Sequence, residues 1–120
     1  MVIFDTNMIL RYLLNDNEEM ADQAERYLDT GNVLVTIAVI AEVVYVMKGV
    51  YAMDRGEITD TIKGFLKLVS CQERDVLNRA LDAYRGYNLD FVDCVLYAYH
   101  IEKGFEIATF DKKLLHILQK

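Results

Sequence analysis

The sequence predicts an α/β domain whose short, mainly parallel sheet is covered on both faces. Two observations carry this expectation. Four short segments, at residues 2–4, 33–35, 68–71 and 107–110, read as strands, and the first is a continuous apolar run without the polar alternation of a half-exposed strand, the pattern of a strand buried on both sides. Pairs of helical patterns separate them, so the chain reads βααβααβααβα, and strands that alternate with helices pair in parallel.

The first run, Val2, Ile3 and Phe4, stops at Asp5, and Ile9, Leu10, Leu13 and Leu14 then recur at helical spacing. The stretch NDNEE breaks that pattern before a second helix over 20–28, and Asp29, Thr30, Gly31 and Asn32 turn the chain into Val33, Leu34 and Val35. Thr36 is placed to cap the next helix, IAVIAEVVYVM, which is apolar on every side except at Glu42. After a looser stretch at 49–56, Asp54 or Thr59 can cap a helix that reaches Leu66, and LVSC supplies the third strand. Val76, Leu77, Ala80, Leu81 and Tyr84 share one face of a helix over 75–87, which Asn88 closes. Another helix runs from about Asp90 to Gly104, a residue suited to a left-handed C-terminal turn. Ile107 to Phe110 form the fourth strand, Asp111 follows it, and KKLLHILQK is a final helix or helix plus strand.

A chain of 120 residues is expected to make one domain over 1–120, and with no proline it has no stiff linker. The formal charge of −6 argues against a basic nucleic-acid footprint. Cys71 and Cys94 are far apart, without CxxC spacing, and read as two buried thiols in a reducing compartment. No apolar stretch reaches membrane-spanning length and the opening residues lack a basic leader pattern, so no membrane contact and a cytoplasmic location are expected. Residues 43–53 offer more apolar surface than one helix face can bury, which predicts self-association as a homodimer.

Four acids stand out. Asp5 follows the first strand, where open α/β sheets place their chemistry, although an Asp there also caps a helix. Asp111 has the same two readings after the last strand. Asp93 lies three residues after Asp90, the spacing of a capping box, and Asp90 is read as the cap or as a supporting group behind the site. Glu42 has no capping role, and a carboxylate inside an apolar helix pays desolvation unless it finds a cation or donors. Carboxylates gathered at about 4–6 Å repel by roughly 3–4 kcal/mol per pair at an effective dielectric near 20, a cost that a divalent cation cancels. All-oxygen ligands select a hard ion, Mg²⁺ or Mn²⁺, which retains waters and activates one for attack on phosphorus. With four carboxylates committed to a cation the formal charge falls to −2, 13 basic against 15 acidic residues. Arg11, Lys112 and Lys113 then offer phosphate contacts, with a solvated surface as the simpler reading of each. His100 and His116 read as core or rim residues rather than ligands.

DTN at Asp5 to Asn7, Glu42 in AEVVYVM, Asp93 in DFVDCVLYAY, and TFDKKL with Thr109 and Asp111 resemble the PIN-domain ribonucleases, particularly the VapC toxins of toxin–antitoxin pairs. The resemblance covers the whole chain. It implies a three-layer α/β/α sandwich, Mg²⁺- or Mn²⁺-dependent endoribonuclease activity, an RNA substrate, an antitoxin partner and a homodimer. Asp5, Glu42, Asp93 and Asp111 are the metal-binding and catalytic acids it implies, with Thr6, Asn7, Asp90 and Thr109 in support. A free-standing RNA-processing nuclease and a non-catalytic PIN-like binding module are the alternatives. Phosphoaspartyl enzymes fit poorly, because the DxDxT pattern fails at Asn7 and Asp54 lies in a Gly-flanked loop.

Overall fold

A computed structural model describes residues 1–120 as an α/β fold with a three-stranded parallel sheet and seven helices, the elements of a PIN-like sandwich. In chain order these are β1 (Val2–Ile3), α1 (Thr6–Leu14), α2 (Glu18–Asp29), β2 (Val33–Val35), α3 (Ile37–Gly49), α4 (Arg55–Leu66), β3 (Ser70–Cys71), α5 (Arg74–Gly86), α6 (Phe91–Lys103) and α7 (Lys112–Leu118). They fall into two compact units, Met1–Gln72 and Glu73–Lys120.

The first unit holds the sheet, in the order β1-β2-β3. Val2 pairs with Val33 and Ile3 with Leu34, then Leu34 with Ser70 and Val35 with Cys71, all parallel. Parallel neighbours require a crossover, and the helix pairs α1–α2 and α3–α4 supply the two. The central strand is the buried one, with Val33 and Val35 inaccessible. The strand β1 departs from the expected burial on both faces: Val2 is 37% and Ile3 60% exposed, and only Phe4 beyond it is buried. The reason is position, because β1 lies at the sheet edge with β2 as its one neighbour.

Helix starts follow the expected capping chemistry. Thr36 Oγ1 accepts from the Val39 amide at 3.2 Å, and Asp54, rather than Thr59, caps α4 by accepting from Glu57 at 2.7 Å. The core of this unit gathers Ile9, Ile40, Val43, Met47, Ile58, Ile62, Phe65 and Leu66. The helix α3 is not apolar all round in its setting. Ala38, Glu42, Tyr45 and Gly49 form an exposed stripe opposite the buried Ile40, Val43, Val44 and Met47. Ala38 and Tyr45 disguise that stripe in the sequence. Tyr45 is 78% and Val50 72% exposed, which leaves apolar surface at this end of the unit.

The second unit is helical. Val76, Leu77, Ala80, Leu81 and Tyr84 of α5 are buried, as are Phe91, Cys94, Val95 and Ala98 of α6, which packs on α5 and α7. Tyr84 and Phe91 meet edge to face with centroids 5.8 Å apart. Polar contacts join the same pair of helices near the C-terminal end of α6: Arg79 to Glu102 at 2.8 Å, Lys103 to Asp75 at 3.1 Å, and the Tyr99 hydroxyl to Glu73. The Lys103 ammonium holds the Asp75 carboxyl below its ordinary pKa. Gly104, at φ 70°, takes the left-handed position that ends α6.

The fourth expected strand is absent. Residues 107–110 belong to no helix or strand, with Ile107 and Thr109 half-buried and Ala108 and Phe110 exposed, and this unit contains no other strand to complete a ladder. The final segment is α7 alone, without a following strand. Cys94 is buried as expected, whereas Cys71 is half-buried; neither forms a disulfide.

The burial pattern of α3 sets a contrast for urea denaturation. Met47→Ala should cost about 2–5 kcal/mol, because it removes a fully buried side chain, while Tyr45→Ala on the exposed stripe should stay within about 0.5 kcal/mol. Equal losses would contradict the orientation of the helix.

Candidate active site

In the first unit Asp5 ends the loop after β1 and caps α1, one carboxylate oxygen accepting from the Met8 amide at 2.9 Å. Capping uses one oxygen only. The other is available to a ligand, so the two readings of Asp5 are compatible in one side chain. Phe4 donates to the Leu34 carbonyl at 3.2 Å, and the parallel register carried forward sets Asp5 beside Thr36, the cap of α3. Glu42 lies six residues further, about 9 Å along that helix at ordinary helical rise. It is exposed rather than buried, so the desolvation expected of it is not what holds it there. Thr6 and Asn7 open α1, and neither side chain bonds a carboxylate. Arg11 is committed elsewhere: it donates to Asp16 at 2.9 Å and to the Tyr51 hydroxyl at 3.3 Å, contacts that raise its pKa, the Tyr51 bond most.

In the second unit Asp90, Asp93, Asp111, Lys112 and Lys113 come together. Asn88, Leu89, Asp90, Asp93, Asp111, Lys112 and Lys113 line one cavity of about 320 Å³. Asp111 caps α7, accepting from Leu114 at 2.8 Å, and its own amide donates to Thr109 Oγ1 at 3.0 Å, so Thr109 orients it through the backbone. Asp90 occupies the cap position of α6 with extended backbone, yet its side chain makes no capping bond. It faces the cavity wall as a free carboxylate. Sequence reading did not single out Asn88 and Leu89 as part of the site; their signal was adjacency, since they form the turn that delivers Asp90.

Charge confirms the crowding. Burial raises the Asp93 pKa above the ordinary aspartate value, and Asp111 and Asp90 raise it further. Lys112 and Lys113 form no ion pair with these acids, so the negative field is not neutralised from within the chain. Within neither unit do three or more His, Cys, Asp or Glu side chains form a group that could hold a metal ion by itself. The donor chemistry of the second unit nevertheless suits a hard cation: all-oxygen carboxylates, repelling one another around Asp93, with free oxygens on Asp90 and Asp111.

Asp93→Asn should separate a ligand from a cap. With its folded pKa raised, Asp93 stabilises the fold below the ordinary aspartate range and loses that contribution as pH rises through the raised value. At neutral pH in EDTA, Asp93→Asn should therefore melt at the same temperature or higher, and this advantage should shrink in acid. Mg²⁺ should then raise the wild-type melting temperature more than that of the variant. Equal metal-induced shifts would remove Asp93 from the ligand set. For Asp90 the comparison is Asp90→Ser, a competent cap: unchanged stability with a reduced Mg²⁺ shift is expected of a carboxylate that serves the cavity rather than the helix.

The family model of the PIN domain matches residues 2–118, almost the entire chain. No curated protein and no solved structure is a significant match. The matched span takes in Asp5, Glu42, Asp93 and Asp111, and with the α/β fold and its parallel sheet it assigns the chain to the PIN-domain family, whose members are generally nucleases that often use divalent metals.

Proposed function

We propose that this chain is a Mg²⁺- or Mn²⁺-dependent endoribonuclease and the toxin of a VapBC-type toxin–antitoxin pair, working as one domain over 1–120. The observation that carries the nuclease reading is the acidic cavity of the second unit, where Asp93 is crowded by Asp111 and Asp90 while two lysines stand unpaired on the same wall. Membership of the PIN-domain family supports it. The chain's acids resemble those of VapC toxins in order and flanking residues, which supports the toxin role and a cognate antitoxin.

Asp5, Glu42, Asp93 and Asp111 are the residues we assign to the metal. Asp5 and Asp111 each offer the oxygen not used in capping, while Glu42 and Asp93 offer whole carboxylates. When bound, the cation supplies an activated water and neutralises charge that develops on phosphorus. Thr109 holds the backbone of Asp111, and Asp90 presents a further acceptor in the same cavity. Lys112 and Lys113 take the phosphates of the strand, and of the three basic candidates they are the two left uncommitted; Arg11 is occupied by Asp16 and Tyr51. The exposed Tyr45, Val50 and Tyr51 support self-association or an antitoxin contact. An RNA substrate and two cysteines outside any disulfide favour the cytoplasm, and no helix is long and apolar enough to cross a membrane.

Purified protein should cleave single-stranded or loop RNA in Mg²⁺ or Mn²⁺, lose this in EDTA, and lose it again in Glu42→Gln. Cleavage at an unchanged rate in excess chelator and in the Glu42→Gln protein would sink the metal-dependent reading. The phosphate role of the lysines is read from salt dependence: Lys112→Ala with Lys113→Ala should lower the slope of log K against log salt by about 1.4 for a single strand. An unchanged slope would return both lysines to the solvated surface.

A further inference from the structure

Phe110 is the most exposed large apolar side chain of the protein, with a fractional exposure of 102%, and its ring contacts no other ring. Its backbone is nevertheless held. Thr109 Oγ1 accepts from the Asp111 amide at 3.0 Å, and Asp111 accepts from Leu114 at 2.8 Å, so the residues on either side of Phe110 are tied into the start of α7. Half-buried Ile107 and Thr109 alternate with exposed Ala108 and Phe110, so the ring is turned outward to solvent. Phe110 directly precedes Asp111, Lys112 and Lys113, all of which line the acidic cavity, and consecutive Cα atoms lie about 3.8 Å apart.

An apolar ring left fully in water on a fixed backbone, beside two unpaired lysines, matches how single strands are held: cations follow the phosphates and an aromatic face takes a base. We propose that Phe110 is a stacking platform for a nucleobase of single-stranded RNA next to the bond to be cleaved, with Lys112 and Lys113 on the adjoining phosphates. This rests on the nuclease reading above and extends it to how the strand is gripped. A duplex offers no free base face, so the platform selects unpaired RNA. It reads no base edge, so it confers little base preference. A protein contact is the rival occupant, but the residues that follow the ring are charged and cavity-lining rather than apolar.

The test uses the full chain as wild type, Phe110→Ala and Phe110→Trp, with a phosphorothioate-linked single-stranded RNA carrying 2-aminopurine, in Mn²⁺. The wild type should change the 2-aminopurine fluorescence on binding, and Phe110→Ala should bind roughly 10-fold more weakly and lose that signal, while Phe110→Trp restores both. With unmodified RNA the same loss should fall on KM, and melting temperatures should not move. Wild-type affinity and signal in Phe110→Ala would overturn the proposal while leaving the nuclease reading intact. So would unchanged RNA affinity with a dimer turned monomer by light scattering, which would assign the ring to another copy of the chain. A wild type that neither binds nor cleaves RNA in Mn²⁺ would instead remove the nuclease reading, and this inference with it.

Discussion

The orphan amides in the first turn of a helix need an acceptor, and this chain answers that need with acids at the places where chemistry is expected. Asp5 and Asp111 each give one oxygen to an amide three residues on. The bond orients the carboxylate and leaves its second oxygen outward. Structural and chemical roles are usually weighed as alternatives for such residues, but a carboxylate has enough lone pairs for both. Asp90 shows the other outcome: it sits at a helix start and leaves the amides alone, so its charge goes entirely to the cavity it lines.

Much of the fold was legible in the sequence because it was written in local chemistry. Thr36, Asp54 and Gly104 mark helix ends by the hydrogen bonds or backbone angles that their residue types favour, and all three act there. The errors were non-local. The apolar run Val2, Ile3 and Phe4 looks the same in an edge strand and a central one, since only the neighbours decide its exposure. The run at 107–110 has strand composition, yet a strand is a relation between two segments and composition names only one. Glu42 was misread for a related reason: Ala38 and Tyr45 on its stripe are apolar in type and exposed in fact.

The candidate site was legible as a set of acids and illegible as an arrangement. Order and flanking residues singled out Asp93 and Asp111, and both line one cavity with Asp90 in the second unit. What no pattern revealed was the condition of the basic residues. Arg11, Lys112 and Lys113 look equivalent in the chain, yet Arg11 is held by Asp16 and Tyr51 whereas the lysines are free. Whether a cation is available to a ligand depends on its partners in space.

The helix α6 is anchored by different means at its two ends. Near Asp93 it is held by burial, through Phe91 against Tyr84 and through Cys94 and Val95, whereas towards Lys103 it is held by exposed ion pairs and a hydroxyl contact with α5. Salt screens the second kind of anchor and leaves the first nearly untouched. From Cys94 onward, where the helical hydrogen bonds begin, amide hydrogen exchange should therefore run as a gradient along this helix, fastest towards Gly104 and steepening with ionic strength. The turn that carries Asp93 lies at the end held by buried side chains, so fraying at the far end can proceed without disturbing the position of the carboxylate.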